Sequence, residues 1–224
     1  MPLLLRPAKE DDSTKIGAIG RDAFSGTLSR SIFPPHLHSK SETGDPGLDE
    51  AQWRAARNLR RMREGKPTYV VVDVPEDGSG DERVVGFAQW ELPSQETPST
   101  AGAAVEIEPD PLPASLDQEK LLEMYRLIED ETKKALGPEG YSNMWYLMSV
   151  AIDPTQQRRG IGRMLVQHGL DQAAKAGKDA FLISTPEGRG LYYALGFRDV
   201  TEPITLGPTP HSLMIWKNPE TGVH

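Results

Sequence analysis

The distribution of apolar and polar positions predicts a chain that alternates between strands and helices. Leu3–Leu5 form a short apolar run that stops near a proline, which predicts a strand, and Asp11–Ser13 offers capping residues for a helix that extends to about Ala23. Two β-rich runs, 68–74 and 83–92, flank a turn-forming segment and predict an antiparallel hairpin. The first half is therefore expected to contribute both sheet and helix.

The first two thirds of the chain also contain two stretches with helical periodicity and two stretches without any period. Residues 49–64 and 117–136 repeat apolar positions at helical spacing, and a glycine follows each of them. Residues 25–48 and 93–116 are rich in turn-forming residues, so we expect loop insertions there. Because long aperiodic segments are usually functional or disordered, the second insertion is predicted to be either a mobile surface loop or a lid.

The last third of the chain has the clearest succession of predicted elements. They are, in order, an apolar strand at 144–152, a turn rich in Gln and Arg, a helix at about 160–176, a strand at 180–184, a short helix at 188–195, a strand from Phe197, and a late strand at 213–217. The fold class that this succession predicts is mixed α/β. At 224 residues the chain can bury one sizeable core, so we expect a single domain over 1–224.

Composition narrows the partners and the chemistry. The formal net charge is −8, so nucleic acid is not expected as the main partner, because phosphate binding needs a clustered basic face. The chain has no cysteine, which excludes disulfides, thiolate metal sites and a cysteine nucleophile. No apolar run has the length of a secretory signal or a membrane span, so we expect an intracellular protein, cytoplasmic with the nucleus not excluded.

A glycine-rich turn between the strand at 144–152 and the next helix is the strongest candidate for a binding site. The turn reads Gln157–Arg158–Arg159–Gly160–Ile161–Gly162 and is followed by Arg163. A strand that runs through such a turn into a helix presents unpaired backbone N–H groups and the positive end of the helix dipole, which together suit a pyrophosphate. The glycines permit close approach, and the arginines add positive charge. The alternative is a tight strand-to-helix turn with solvated arginines.

The same stretch resembles a known family. Val150–Ala151–Ile152–Asp153–Pro154, followed by the glycine-rich turn, is similar to motif A of the Gcn5-related N-acetyltransferases. The resemblance implies the fold of that family, a single mixed and mostly antiparallel sheet of about six to seven strands flanked by helices, with a splayed central strand pair. It also implies acetyl-CoA as cofactor, with its pantetheine arm paired to the backbone of Ser149, Val150, Ala151 and Ile152.

A second segment carries the resemblance further. Gly190–Leu191–Tyr192–Tyr193–Ala194–Leu195–Gly196–Phe197 resembles the end of motif B, in which the tyrosine matching Tyr192 lies near the cofactor sulfur. A phenol within hydrogen-bond reach can protonate the departing thiolate, so Tyr192 is the predicted catalytic acid, and a wall of the cofactor pocket is the alternative. Tyr193 points about a third of a turn away and is predicted to be a packing residue.

The chain departs from the common family pattern just before that tyrosine. Thr185 stands where many members have Asn, and Gly188 stands where many have Ala. The run Ser184–Thr185–Pro186–Glu187–Gly188 resembles a fungal-type branch, and Ser184 is carried over as a cofactor contact. A threonine hydroxyl replaces only part of what an asparagine amide donates and accepts, so the coenzyme contact of the common pattern is in question at Thr185.

The general base and the acceptor are less clearly indicated. Glu91, at the end of a predicted strand, is the first candidate for the base that deprotonates an amine, with a solvated strand-end glutamate as the alternative. His36 and His38 lie in the first insertion and are weaker candidates, and this pair alone does not indicate a metal site. Trp53, Trp90, Trp145 and Tyr146 are expected to be core residues, although they could line an acceptor pocket.

Together these patterns predict an acyl-CoA-dependent N-acyltransferase that moves an acetyl group to a primary amine by direct attack on the thioester. A small-molecule amine is the expected acceptor, and a basic pocket in an acidic body leaves room for a cationic one. The alternatives are a protein or peptide N-acetyltransferase and a catalytically silent acyl-CoA-binding module. The expected assembly is a monomer or a homodimer.

Overall fold

The structure is a computed structural model, and it describes residues 2–26, 28–74, 82–93 and 112–220. The strands are β1 Leu3–Pro7, β2 Thr68–Asp73, β3 Arg83–Glu91, β4 Trp145–Ile152, β5 Ala180–Ser184, β6 Arg198–Asp199, β7 Ile204–Leu206 and β8 Thr209–Trp216. The α-helices are α1 Ser13–Phe24, α2 Leu28–Ile32, α3 Pro46–Arg63, α4 Gln118–Leu136, α5 Ile161–Lys175 and α6 Pro186–Ala194. Short 3-10 helices occupy Glu10–Asp12, Pro35–Lys40 and Pro154–Gln156. None of the described helices is long and apolar enough to cross a membrane.

One mixed sheet organises the molecule. Its strand order is β1-β2-β3-β4-β5-β8-β6, and β7 pairs with β8. Every pair is antiparallel except β4 and β5, which run parallel. This arrangement confirms the predicted mixed and mostly antiparallel sheet flanked by helices, and the described residues form eight strands where six to seven were expected.

The parallel pair at the centre of the sheet separates partway along its length. β4 pairs with β5 only from Trp145 to Leu147, and Ser149–Ile152 pair with β3 alone. Opposite β3, the register shifts so that Gln89 faces Ser149 and Trp90 faces Leu147, which leaves Met148 as the extra residue of a bulge. A bulge increases the local twist of a strand, so the far end of β4 diverges from β5 and opens a cleft between them.

Alternating residues of β2 and β3 divide the core between the two faces of the sheet. Val71 and Trp90 pack with α5 on one face, whereas Val70 and Phe87 pack with α1 on the other. α5 lies very close to the sheet at Gly169. A Cβ on this glycine would lie only 2.2 Å from the Trp90 ring, so the close packing requires glycine there. The two faces thus hold β4 and the start of α5 in fixed positions beside the cleft.

Three expectations about the elements need correction. Residues 25–48 are not a loop insertion, since they contain α2, the 3-10 helix Pro35–Lys40 and the start of α3. α2 and the 3-10 helix are too short to show a period, and prolines mark the starts of the 3-10 helix and of α3. β7 was missed, and β8 begins four residues before the predicted 213–217, because Pro208 and Pro210 interrupt the β pattern there. Of the segment 93–116, residues 94–111 lie outside the described ranges.

Candidate active site

A cleft of about 1040 Å³ opens where β4 and β5 part. One end, which we call the glycine end, is lined by Val150–Ile152, the turn at Gln157–Gly162 with the exception of Arg159, and residues of α6. The other end, which we call the arginine end, is lined by Arg54, Arg57, Arg60 and Arg61 of α3, by Lys66 and Glu91, and by apolar residues of α2 and α4. A volume of this size falls at the upper end of typical small-molecule sites.

The glycine end is built around the first turn of α5. Gly160 caps the helix with φ +82°, a left-handed conformation that strongly favours glycine. Arg158 also has a positive φ, at +65°, and the two together turn the chain sharply between the 3-10 helix and α5. The first N–H groups of an α-helix have no intrahelical acceptor and lie at the positive end of the dipole. The residues Gly160–Arg163 line the cleft, and this arrangement is of the kind that can hold an anion.

The arginines of the turn do not all serve the cleft. Arg158 and Arg163 line it. Arg159 instead donates to both carboxylate oxygens of Asp73, at 2.9 and 2.8 Å, and these hydrogen bonds lower the pKa of that carboxyl group. Arg159 was expected to add positive charge at the mouth of the cleft. Instead it forms a bidentate ion pair that joins the turn to β2.

β4 supplies a strand edge to the same end. Val150, Ala151 and Ile152 pair with β3 on one side, and all three line the cleft on the other, where β5 has already left the ladder. A strand edge with accessible backbone groups can pair with an extended ligand that carries amide groups. The structure therefore places these three predicted residues together with the glycine turn.

Tyr192 projects from α6 into the cleft. Its ring is buried and packs edge-on against Phe197, with centroids 5.7 Å apart. Burial raises the pKa of Tyr192 well above its ordinary value, so the phenol is protonated at neutral pH. A Cβ on Gly188 would come within 2.9 Å of the ring, which explains why the small residue precedes the tyrosine by one turn. Tyr193 lies outside, where its hydroxyl donates to Asp199.

Ser184 and Thr185, the two residues before α6, differ in whether they reach the cleft, and the sequence predicted the contact at Ser184. The Thr185 hydroxyl caps α6 by accepting from the Gly188 N–H at 3.4 Å, and Thr185 lines the cleft. Ser184 is buried, donates to the Thr185 carbonyl at 2.7 Å, and is not among the lining residues. The side chain that the structure brings to the cleft is thus Thr185, and Ser184 supports it from behind.

Glu91 lies in the cleft, near its arginine end, as a candidate base requires. Its Oε1 accepts from Lys66 Nζ at 3.0 Å, and about a third of the side chain remains exposed. His36 and His38 do not line the cleft, and His38 Nε2 lies 3.2 Å from the Phe33 carbonyl. Of the predicted titratable candidates, only Glu91 and Tyr192 therefore share the cleft.

His211 is a cleft residue that the sequence analysis missed. It is 2% exposed, and Nδ1 lies 3.0 Å from the Thr209 carbonyl, so Nδ1 carries the proton. Within the described part of the chain, Nε2 is buried without a hydrogen-bond partner. Burial lowers the pKa of His211 below its ordinary value, which keeps the ring neutral and leaves Nε2 as a proton acceptor. A lone histidine between Pro210 and Ser212 offered no signal for this placement.

The arginine end was also missed, although its spacing is visible in the sequence. Arg54, Arg57 and Arg61 recur at intervals of three and four residues on α3, and together with Arg60 they line the cleft. The guanidinium of Arg57 lies 5.4 Å from the ring centroids of both Trp53 and Tyr125. Cation–π contacts hold this guanidinium between the two rings. Trp90 and Trp145 belong to the core, as expected.

Comparison with known proteins identifies the family. The acetyltransferase (GNAT) family matches residues 35–197. An acetyltransferase of Stachybotrys chartarum is 32% identical over 150 residues, which cover 65% of this chain and 62% of that protein. The [ribosomal protein bS18]-alanine N-acetyltransferase of Salmonella typhimurium is 37% identical over 59 residues, which cover 25% and 40%. The matches thus span less than two thirds of the length of each of these relatives.

Solved structures share the fold at low sequence identity. The histone acetyltransferase HPA2 and related acetyltransferase of Corynebacterium glutamicum superposes with a TM-score of 0.59 at 22% identity, over the full length of both chains. A GNAT superfamily phosphinothricin acetyltransferase of Sinorhizobium meliloti, solved in complex with AcCoA, superposes with a TM-score of 0.57 at 18% identity, over 99% of this chain and 91% of that one. These likenesses concern the fold.

Proposed function

The chain belongs to the GNAT acetyltransferase family, and from this we propose that it transfers an acetyl group from acetyl-CoA to a primary amine by direct attack on the thioester. One observation carries the proposal. The anion-binding turn at Gly160–Arg163, the accessible edge of β4 and the phenol of Tyr192 all open into one cleft. An acyl-CoA offers the matching groups in a single molecule: a pyrophosphate, an amide-bearing arm and a thioester.

The residues of the glycine end fit the donor. The N–H groups of the α5 first turn bind the pyrophosphate, and Arg158 and Arg163 add charge-assisted contacts at the mouth. Val150–Ile152 pair with the pantetheine arm through their backbone. An acyl-CoA held along this path would have its thioester inside the cleft that Tyr192 and Glu91 also line.

Tyr192 is proposed to act on the leaving group. Acetyl-CoA supplies the acetyl group as a thioester, and amide formation releases coenzyme A as a thiolate. Because burial keeps the Tyr192 phenol protonated, its O–H can donate to the sulfur as negative charge develops there. The resemblance of the segment Gly190–Phe197 to motif B supports this role.

Two residues are candidates for the base that removes the amine proton. Glu91 is the candidate from the sequence, and its carboxylate is held by Lys66. His211 is the candidate from the structure, since its Nε2 lone pair is available and its ring is neutral. A base must lie within hydrogen-bond reach of the amine or act through one water, and both side chains line the cleft.

A second acceptor class has one observation in its favour. The bS18 relative acetylates an alanine of a protein, and it matches 59 residues of this chain. A protein or peptide acceptor would enter from the arginine end, where α3 and α4 meet the cleft.

The decisive experiment follows free thiol during incubation with acetyl-CoA. The full chain is offered amino acids, simple amines, polyamines and short peptides, and mass spectrometry identifies the acetylated product. We expect amine-dependent thiol release with at least one acceptor. If acetyl-CoA binds tightly but no acceptor causes release, the protein is a silent acyl-CoA-binding module and the proposed function fails.

A further inference from the structure

Two buried carboxylates hold the connection between β4 and α5 against neighbouring strands. Asp153, which follows β4 directly, is 9% exposed, and its N–H donates to the Val85 carbonyl at 2.9 Å. Its Oδ1 accepts from the backbone N–H and the hydroxyl of Thr155, at 3.0 and 2.7 Å, and its Oδ2 accepts from Arg83 Nη2 at 2.9 Å. The start of this connection is therefore fixed to β3.

Asp73 holds the far end of the same connection. It is the last residue of β2, is 6% exposed, and accepts from both terminal nitrogens of Arg159, at 2.9 and 2.8 Å. A bidentate arginine–carboxylate pair fixes the direction of the contact as well as its length. Because Asp73 lies opposite Arg83 in the register of β2 and β3, both ion pairs lie at the same end of these two strands.

The backbone beside Arg159 has a costly conformation. Arg158 and Gly160, its two neighbours, have φ values of +65° and +82°. A left-handed φ is unfavourable for a residue that has a Cβ, as Arg158 does, and such a conformation persists where surrounding contacts enforce it. The ion pair with Asp73 is a contact of this kind, because it holds the residue that lies between the two left-handed positions. Without that pair, we expect the glycine turn to populate other conformations as well.

Neither member of this ion pair lines the cleft. In the segment 157–163, every residue except Arg159 lines it, and Asp73 of β2 is not among the lining residues. The pair thus holds the turn from outside the cleft. Its removal takes no contact away from a ligand in the cleft and changes only how the lining residues are presented.

We infer that Asp73 is a positioning residue of the donor site: through Arg159 it holds the glycine turn in the conformation that binds the pyrophosphate of acetyl-CoA. This inference rests on the proposed function, which it deepens by naming the residue that orders the donor site from outside the cleft. A turn that is ordered before binding loses less conformational entropy when the donor binds, so the order contributes directly to affinity.

The first test measures coenzyme A binding to Asp73→Asn by calorimetry. Asparagine has nearly the same size as aspartate but has no charge, and its amide donates where the carboxylate accepts. We expect binding to weaken by about tenfold, because apparent affinity falls in proportion to the fraction of molecules in the binding conformation, here to about one in ten. An unchanged dissociation constant in the folded variant overturns the inference.

Asp12→Asn is the matched control for the loss of a buried ion pair. Asp12 is 8% exposed and accepts from both terminal nitrogens of Arg6, at 2.7 and 3.1 Å, and neither residue lines the cleft. We expect both variants to unfold at a lower temperature than the parent, but only Asp73→Asn to bind coenzyme A more weakly. An equal loss of affinity in Asp12→Asn would attribute the effect to general destabilisation and overturn the inference.

A double-mutant cycle tests whether Asp73 acts through Arg159. Arg159→Gln changes a side chain that is 33% exposed, so this variant is expected to fold even where Asp73→Asn does not. We expect Arg159→Gln, Asp73→Asn and the double variant to lose affinity for coenzyme A by about the same factor, because all three lack the same ion pair. Parent-like affinity in Arg159→Gln, or a double loss equal to the product of the single losses, overturns the inference.

Donors with and without the pyrophosphate separate positioning from a general structural effect. S-acetylpantetheine keeps the arm and the thioester of acetyl-CoA but has no pyrophosphate. In Asp73→Asn we expect kcat/KM to fall by about tenfold for acetyl-CoA and to change little for S-acetylpantetheine. Equal losses for both donors contradict the inference. Coenzyme A is titrated without an acceptor, so its binding decides the inference even if no amine releases thiol and the proposed acetyl transfer fails.

Discussion

Gly162 in the first turn of α5 lies directly against Leu191 of α6. A Cβ at Gly162 would come within 3.1 Å of Leu191 Cδ2 and within 3.3 Å of Ile152 Cδ1. The glycine therefore allows α5, α6 and the end of β4 to meet at the glycine end of the cleft. A larger side chain must move at least one of these three elements, all of which are proposed to contact the donor.

Replacing Gly162 by valine is expected to weaken acetyl-CoA binding by about tenfold or more, because displacement of the first turn loses at least one charge-assisted hydrogen bond. Isothermal titration calorimetry measures the affinity. Gly190→Ala is the control, since Gly190 lies on the same α6 with open space around its Cβ position. An unchanged dissociation constant in a folded Gly162→Val protein would remove the turn from the donor site.

Tyr192→Phe is expected to reduce kcat by about 10²-fold, at the lower end of what general acids contribute, because a thiolate is already a competent leaving group. Acetyl-CoA affinity should change little, since the ring remains in place. As burial raises the pKa of Tyr192, its phenol stays protonated, and the parent should show no loss of rate from Tyr192 ionisation below about pH 10.

Tyr193→Phe serves as the control for that experiment. Tyr193 is exposed, its hydroxyl donates to Asp199, and it does not line the cleft. Steady-state kinetics on both variants separate the roles of the neighbouring phenols. If Tyr192→Phe retains kcat within about threefold of the parent, Tyr192 is a wall of the pocket and not the acid.

The two candidate bases are distinguished by their pH profiles. His211→Asn keeps a side-chain donor that can reach the Thr209 carbonyl but removes Nε2. The folded pKa of His211 is lowered, so a His211 base loses activity only as pH falls below its ordinary value of 6.5. If His211 is the base, the variant loses kcat/KM by about 10²-fold and its acid limb disappears, while Glu91→Gln keeps that limb. The reverse pattern assigns the base to Glu91.

Asp49 is expected to stabilise the junction between α3 and the segment before α4 in a pH-dependent way. It is buried and accepts from the hydroxyls of Thr43 and Ser115, at 2.6 and 2.7 Å. Burial alone would raise the pKa of Asp49, but these hydrogen bonds outweigh it and lower the value to about 2. A lowered folded pKa gives stability that is present above the ordinary value of 3.8 and is lost as pH falls through about 2.

Asp49→Asn should therefore lower the free energy of unfolding by about 1–3 kcal/mol at pH 6, because buried partners lose a charged acceptor. The difference from the parent should shrink as pH falls from 4 to 2. Urea denaturation at several pH values measures it, with Asp130→Asn on the exposed side of α4 as the control. A pH-independent difference would show that the change is steric.

Local pattern was sufficient for the features that lie within one stretch of chain. The glycine turn, the strand before it and the helix after it are contiguous, so the conformational demand at Gly160 and the capping geometry of α5 are readable from neighbouring residues. The same holds for Tyr192. Its position on the short helix α6, which ends just before Gly196, can be read from helical spacing in the sequence. The antiparallel pairing of β2 and β3 also followed from two adjacent β-rich runs.

Tertiary packing decided everything that joins distant parts of the chain. Asp73, 86 residues from Arg159, pairs with that arginine, so the motif alone could not show which arginines of the turn face the cleft. His211 enters the cleft because β8 crosses beside β5. The arginines of α3 line the cleft only because that helix packs on the face of the sheet opposite α5. Burial and long-range charge depend on such contacts, and a pattern of nearest neighbours along the sequence contains no information about them.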